Sequence, residues 1–214
     1  MKTKNILAKT KIQKILDTLN NLYPAPTTEL NFKTPFELLV ATILSAQTTD
    51  RQVNKITANL FSKWHTPEEF AELPVKALEN EIKSCGLFKN KAKNIIAASK
   101  LIVEQYNSEV PTNIEDLLKI PGAGRKTANV VLANAFGHDV IAVDTHVFRV
   151  SNRLGLADSS SVDGTEKQLM DNIPAGIRNN AHHWLILHGR NICKAKNPKC
   201  PECPINLYCR SMQT

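Results

Sequence analysis

Long apolar runs are missing from this sequence of 214 residues. The best stretch, Leu38 to Ala46, is broken by Thr42 and Ser45, well short of the ~18 residues a bilayer span needs, so no membrane-spanning segment is expected. The basic start at Met1, Lys2, Lys4 and Lys9 is not followed by an apolar block and a small-residue cleavage site, so no secretory leader is expected. Aromatic residues are only 6% of the chain, which leaves the core to aliphatic side chains. Cysteine is almost absent from most of the chain, where Cys85 stands alone; a disulfide scaffold is therefore excluded. Strand patterning is missing too, since Val140 to Val143 is too short and solitary to build a sheet. No low-complexity linker and no repeat of period ~20–50 residues is found. With 42% hydrophobic residues, the chain suits one or two globular domains.

What is present is uneven. The formal charge is +7, and most of it lies in one place: Arg190, Lys194, Lys196, Lys199 and Arg210 face a single acid, Glu202, in the last 25 residues. A clustered cationic surface suits a polyanion, with nucleic acid the leading partner and a merely solvated face the plainer alternative. Four of the five cysteines (Cys193, Cys200, Cys203, Cys209) share the same tail with spacing C-x6-C-x2-C-x5-C. Such density points to a metal or cluster site in a reducing compartment. Four thiolates suit zinc or an iron–sulfur cubane alike, and spacing alone does not separate them. The three lysines sit inside the first cysteine loop, so a cluster that pins this loop would hold three cations rigidly.

Helical signals fill the rest. Ile12, Ile15, Leu16, Leu19 and Leu22 repeat at helical spacing until Pro24. Thr34, Pro35 and Glu37 form a capping-box start for an apolar helix through Leu44, expected to be central. Further helices are expected after Asp50, after Thr66 (a second capping box with Glu69), from Pro74 to Ile82 with Gly86 as terminator, from Lys91 to Tyr106, and briefly at Ile114 to Leu118. Helices are also expected from Arg125 to Phe136, closed by Gly137, and from an Asp144 cap to Leu154. Two last ones fall around Lys167 to Asn172 and Ala175 to Leu187. The reading is all-α, about ten helices, with a metal-bound tail.

Leu118 to Ala128 (LKIPGAGRKTA) carries the most chemistry. A short helix, a Pro-Gly-x-Gly turn and a second helix make a hairpin in which Gly122 and Gly124 permit positive φ and close approach to the backbone. N–H groups at the start of the second helix would face outward and, with the helix dipole, bind a phosphate without reading sequence. Turn chemistry alone is served as well by an ordinary helix–helix connection.

This hairpin, together with Leu44-Ser45-Ala46-Gln47-Thr48-Thr49-Asp50, Val143-Asp144-Thr145-His146-Val147, His182 to Arg190 and the cysteine tail, closely resembles the endonuclease III family of helix-hairpin-helix DNA glycosylases and AP lyases. The likeness runs from about Lys11 to Cys209. It implies a two-lobed all-α glycosylase fold: a six-helix barrel domain over residues 28–137 ending in the hairpin, and an iron–sulfur cluster domain from residues 1–27 and 138–214. It implies a [4Fe–4S] cluster, not zinc, on Cys193, Cys200, Cys203 and Cys209. It places the nucleophile on Lys126 and the catalytic aspartate on Asp144, facing each other across a cleft between the lobes, with Arg125 and the helix N-terminus available to favour the neutral amine. Gln47 and Leu87 match positions that fill the gap left by an extruded base and wedge the opposite strand, although Leu87 equally suits a helix-ending contact. DNA contacts are expected at Gln47, Leu87, Gly122, Gly124, Arg125, Lys194, Lys196 and Lys199.

The implied activity is a bifunctional glycosylase/AP lyase of base-excision repair acting, as a monomer, on oxidised pyrimidines and abasic sites in double-stranded DNA, with no membrane partner. A monofunctional glycosylase of the same fold, or a non-catalytic iron–sulfur DNA-binding protein, are the alternatives. The Lys126/Asp144 pair argues against both. Adenine-mismatch glycosylases are similar but lack the lysine and carry an extra C-terminal domain, which is not expected here because five residues follow Cys209. The histidines His146, His182, His183 and His188, and Cys85, are expected to be structural.

Overall fold

The computed structural model describes residues 6–212. Eleven α-helices and two 3-10 turns make up the regular structure of these residues, with no strand among them. The chain divides into two compact units: a continuous one, Thr28–His138, and a discontinuous one that joins the segment ending at Thr27 to the segment starting at Asp139.

The continuous unit holds α2 (Pro35–Ser45), α3 (Asp50–Lys63), α4 (Pro67–Ala71), α5 (Val75–Glu81), α6 (Phe88–Tyr106), α7 (Ile114–Leu117) and α8 (Arg125–Phe136). Every residue of α2 from Phe36 to Leu44 is buried, as its all-round apolar sequence requires, and it packs against α3, α6 and α8. Each fully buried leucine here stabilises the unit by roughly 1.5–3 kcal/mol. Aromatic scarcity leaves one edge-to-face pair in this core, Phe36 on Phe70, with centroids 5.3 Å apart. The Thr34 hydroxyl accepts from Glu37 N, but the Glu37 carboxylate turns to Lys33 N, so this start is half a capping box. Thr66 and Glu69 complete the reciprocal box at α4.

Other boundaries depart from expectation. The Pro74 helix ends with Ile82 as C-cap, four residues before Gly86. Helix α6 starts at Phe88 behind a left-handed Leu87, not at Lys91. Gly137 does close α8, with φ +69°.

The discontinuous unit joins α1 (Lys9–Leu22) to α9 (Thr145–Leu154), α10 (Val162–Asn172) and α11 (Arg178–Asn191). Its core gathers Ile12, Ile15, Leu16 and Leu19 with Val147, Val150, Leu154, Trp184 and Leu185. Trp184 Nε1 donates to Tyr23 O at 3.0 Å, closing a separation of 161 residues. The run 140–143 belongs to no helix or strand, yet Ile141, Ala142 and Val143 are buried. Helix α10 starts earlier than expected because Ser161 caps it, accepting from Gly164 N. Helix α11 starts later, and the Asp139 carboxylate accepts from Gly176 N (2.8 Å) and Arg178 N (3.1 Å) at its entrance. No helix among the described residues is long and apolar enough to cross a membrane.

Candidate active site and cysteine cavity

The hairpin is built by α7, a tight turn and α8. Asn113 caps α7, accepting from Asp116 N, and Ala123 N donates to Ile120 O at 3.0 Å to close the turn. The two glycines have different jobs. Gly122 has φ +83°, and a Cβ there would stand 3.0 Å from Cβ of Asn94, so both conformation and packing demand glycine. Gly124 is extended at φ −77° and has nothing within 4 Å of an added Cβ. The expectation that both glycines serve positive φ therefore holds only for Gly122; Gly124 leaves the surface open and offers no side chain to cap α8. Arg125 and Lys126 follow at once, both exposed, in the first turn of α8.

Gln47 and Leu87 occupy two turns of the same unit. Both residues adopt left-handed backbone, φ +57° and +58°, a conformation costing a non-glycine residue roughly 1–2 kcal/mol. Such strain persists where surrounding structure over-determines it, and it concentrates at functional positions. Leu87 is 58% exposed, an apolar side chain pointing into solvent. The two turns adjoin: a Cβ on Gly86 would lie 3.5 Å from Gln47 O, and Thr48 Oγ1 is 3.1 Å from Cys85 Sγ.

In the discontinuous unit, Asp144 is the N-cap of α9. Its Oδ1 accepts from Val147 N at 2.7 Å, fixing the carboxylate while its second oxygen stays out of the cap bond. On the same helix Arg149 and Arg153, one turn apart, reach the cysteine loop. Arg149 donates to Gly189 O (3.0 Å) and Cys193 O (3.0 Å). Arg153 donates to Lys194 O (2.7 Å) and Ala195 O (3.1 Å). Neither arginine was singled out from the sequence. Two cations at i and i+4 on an otherwise strongly amphipathic helix were the available signal.

All four tail cysteines line one small cavity, with Leu154, His188 and Ile192 on its walls. Burial pushes the Cys203 and Cys209 thiols up, the penalty for charging sulfur away from water. Burial also lowers His188 to about 4, and its Nε2 is 3.6 Å from Cys203 Sγ. Among the described residues no group of three or more His, Cys, Asp or Glu converges closely enough for a single metal ion; the thiols instead surround a space. Lys194, Lys196 and Lys199 are exposed on the loop from Cys193 to Cys200, which Ile192 O closes by accepting from Lys194 N and Lys199 N. His182 and His183 are buried packing groups: His182 Nδ1 is 2.7 Å from Ala142 O and its ring meets His183 edge-on.

A family model described as HhH-GPD superfamily base excision DNA repair protein matches residues 40–175, so fold and hairpin define a helix-hairpin-helix base-excision repair protein. Endonuclease III of Rickettsia conorii is 51% identical over 198 residues, covering 92% of this chain and 94% of that protein. Endonuclease III of Escherichia coli K12 is 49% identical over 201 residues, covering 94% and 95%. A solved trapped endonuclease III–DNA covalent intermediate superposes with a TM-score of 0.92 at 46% identity, over 97% of this chain and 98% of that one. The chain belongs to the endonuclease III family, and it is accordingly a DNA glycosylase and AP lyase of base-excision repair.

Proposed function

We propose that the enzyme removes oxidised pyrimidines from double-stranded DNA, and opens abasic sites in it, with Lys126 as nucleophile and Asp144 as its carboxylate partner. The damaged nucleotide must leave the stack before any side chain can reach C1′. The Lys126 amine then bonds to C1′ as the glycosidic bond breaks and the base departs with the bonding pair and a proton. The C1′–O4′ bond then breaks as the nitrogen pair forms the C1′=N double bond, O4′ keeping the bonding pair and taking a proton. The resulting Schiff base acidifies C2′, and loss of that proton with departure of the 3′ phosphate and its C3′–O bonding pair cuts the strand by β-elimination. Asp144 takes the proton from the amine and offsets positive charge on the sugar, its position fixed by the cap bond it makes to α9.

The observation that carries this reading is the placement of Lys126: exposed, in the first turn of a helix entered through a glycine that presents no side chain. A phosphate seated at that entrance by backbone N–H groups would bring the neighbouring sugar to the lysine. The covalent endonuclease III–DNA intermediate of a relative supports a mechanism that bonds protein to DNA, and DNA as partner. Gln47 and Leu87 fill the vacated stack, Arg125, Gly122 and Gly124 serve the phosphate, and Lys194, Lys196 and Lys199 add backbone contacts.

Cys193, Cys200, Cys203 and Cys209 would hold a [4Fe–4S] cluster; the four thiols line one common cavity, the donor set such a cluster takes. When bound, it supplies iron–thiolate crosslinks that pin the lysine loop. In this reading residues 28–137 are the barrel and hairpin domain, residues 1–27 with 138–214 are the cluster domain, and the enzyme acts as a monomer in the cytoplasm.

Borohydride reduction during incubation with an abasic-site duplex tests the assignment. The wild-type enzyme is expected to give a covalent protein–DNA adduct and Lys126→Ala none. An undiminished adduct in the variant would refute it.

A further inference from the structure

We propose that Lys91 is a positioning residue for base extrusion, whose buried ammonium holds the Gln47 and Leu87 turns at one fixed spacing. The inference rests on the reading of those two residues as gap filler and wedge. Lys91 stands in the first turn of α6 and is 5% exposed. Its Nζ donates to Leu44 O at 2.8 Å and Ala46 O at 2.6 Å, and lies 3.1 Å from Thr48 Oγ1 and 3.0 Å from Cys85 Sγ. No carboxylate among the described residues pairs with it. An ammonium taken out of water is costly unless its donors are met. Here two carbonyls beyond or within the last turn of α2 meet them, at the end of the helix where the dipole favours a cation. If packing were the only requirement, an apolar side chain would fill this place more cheaply.

The acceptors explain what the charge is for. Leu44, Ala46 and Thr48 straddle Gln47, while Cys85 sits two residues before Leu87, so one nitrogen ties both strained turns. Cys85 reinforces the tie by donating to Leu44 O at 3.2 Å. Without the ammonium, the Leu44 and Ala46 carbonyls lose their donor, Gln47 is released from its left-handed conformation, and the two turns are no longer locked together. Coordinated entry of two side chains into a duplex needs that lock; attack on a sugar already outside a helix does not.

The test compares nicking of an abasic site in a fully paired duplex with nicking of the same site in a single strand. Lys91→Met, which keeps length and removes donors, is expected to slow the duplex reaction about tenfold while leaving the single-strand reaction within about twofold. An equal loss on both substrates, or none on either, overturns the proposal. Should Lys91→Met lack the helical circular dichroism of the parent, Thr48→Val carries the test, with an expected two- to fivefold fall in the duplex to single-strand ratio; an unchanged ratio overturns it. Gln47→Ala and Leu87→Ala run alongside. If they leave the ratio unchanged, the gap-filling reading fails and takes this one with it. If they lower it and Lys91→Met does not, only the role of Lys91 fails.

Discussion

The hairpin around Gly122 and the tail after Arg190 differ in what gives them shape. Residues 114–136 are held by their own backbone: α7 and α8 are regular, the turn closes through Ile120 O, and Ala128, Val131 and Leu132 anchor α8 in the core. Residues 193–212 contain only the 3-10 turns Asn206–Tyr208 and Arg210–Met212. Their course is set by side chains arriving from elsewhere, above all Arg149 and Arg153, and by four thiols around a cavity. The first region is specified by turn and cap chemistry within a dozen residues. The second is specified by what its side chains bind, so it should respond to loss of a ligand where the first does not.

Experiments can break or sharpen that contrast. The largest effect is expected for Lys126→Ala, with nicking down by about 10³-fold or more and unfolding free energy unchanged within about 0.5 kcal/mol, because the side chain is exposed. Asp144→Asn should lower turnover by about 10²-fold with the cap retained, since asparagine caps nearly as well; Asp144→Ala should add a stability loss of about 1 kcal/mol in chemical denaturation. Cys203→Ser should remove the brown absorption near about 400 nm, speed hydrogen exchange over 193–209 and weaken DNA binding about tenfold. Exchange over 114–136 should be unaltered, and a change there would end the contrast. Smallest in energy is a glycine pair. Gly122→Ala should cost about 1–2 kcal/mol from its left-handed backbone and its crowding on Asn94. Gly124→Ala should leave stability within about 1 kcal/mol, the gain from a stiffer unfolded chain offset by alanine's poorer N-cap, yet weaken DNA affinity measurably if, as proposed, a phosphate seats at the entrance of α8.

Much of this was legible in the residues themselves. Thr34-Pro35, Thr66-Pro67, Asp144 and Gly137 mark helix ends by mechanisms that need no tertiary context, and the hairpin and cysteine spacing stand in plain view. The misses are tertiary. Gly86 looks like a helix terminator, but the segment it belongs to packs on the Gln47 turn. Helix α11 starts where Asp139, far back in the chain, meets its first N–H groups, a partner no local window includes. Lys91 enters the sequence only as the start of a helix, although its spacing to Ile95, Ala98 and Ile102 places it on the buried face, where its charge finds carbonyls from a turn 45 residues back.

The return of the chain to α1 has a consequence for biosynthesis. Ribosomes deliver Thr28–His138 as an uninterrupted stretch, so that unit can fold as soon as it clears the exit tunnel. Helix α1 emerges before that unit, but its docking partner Trp184 is made 161 residues after Tyr23, and until then Ile12, Ile15, Leu16 and Leu19 remain without their native neighbours. A nascent chain stalled past His138 would thus carry a finished hairpin beside an exposed greasy helix, the state most in need of a chaperone.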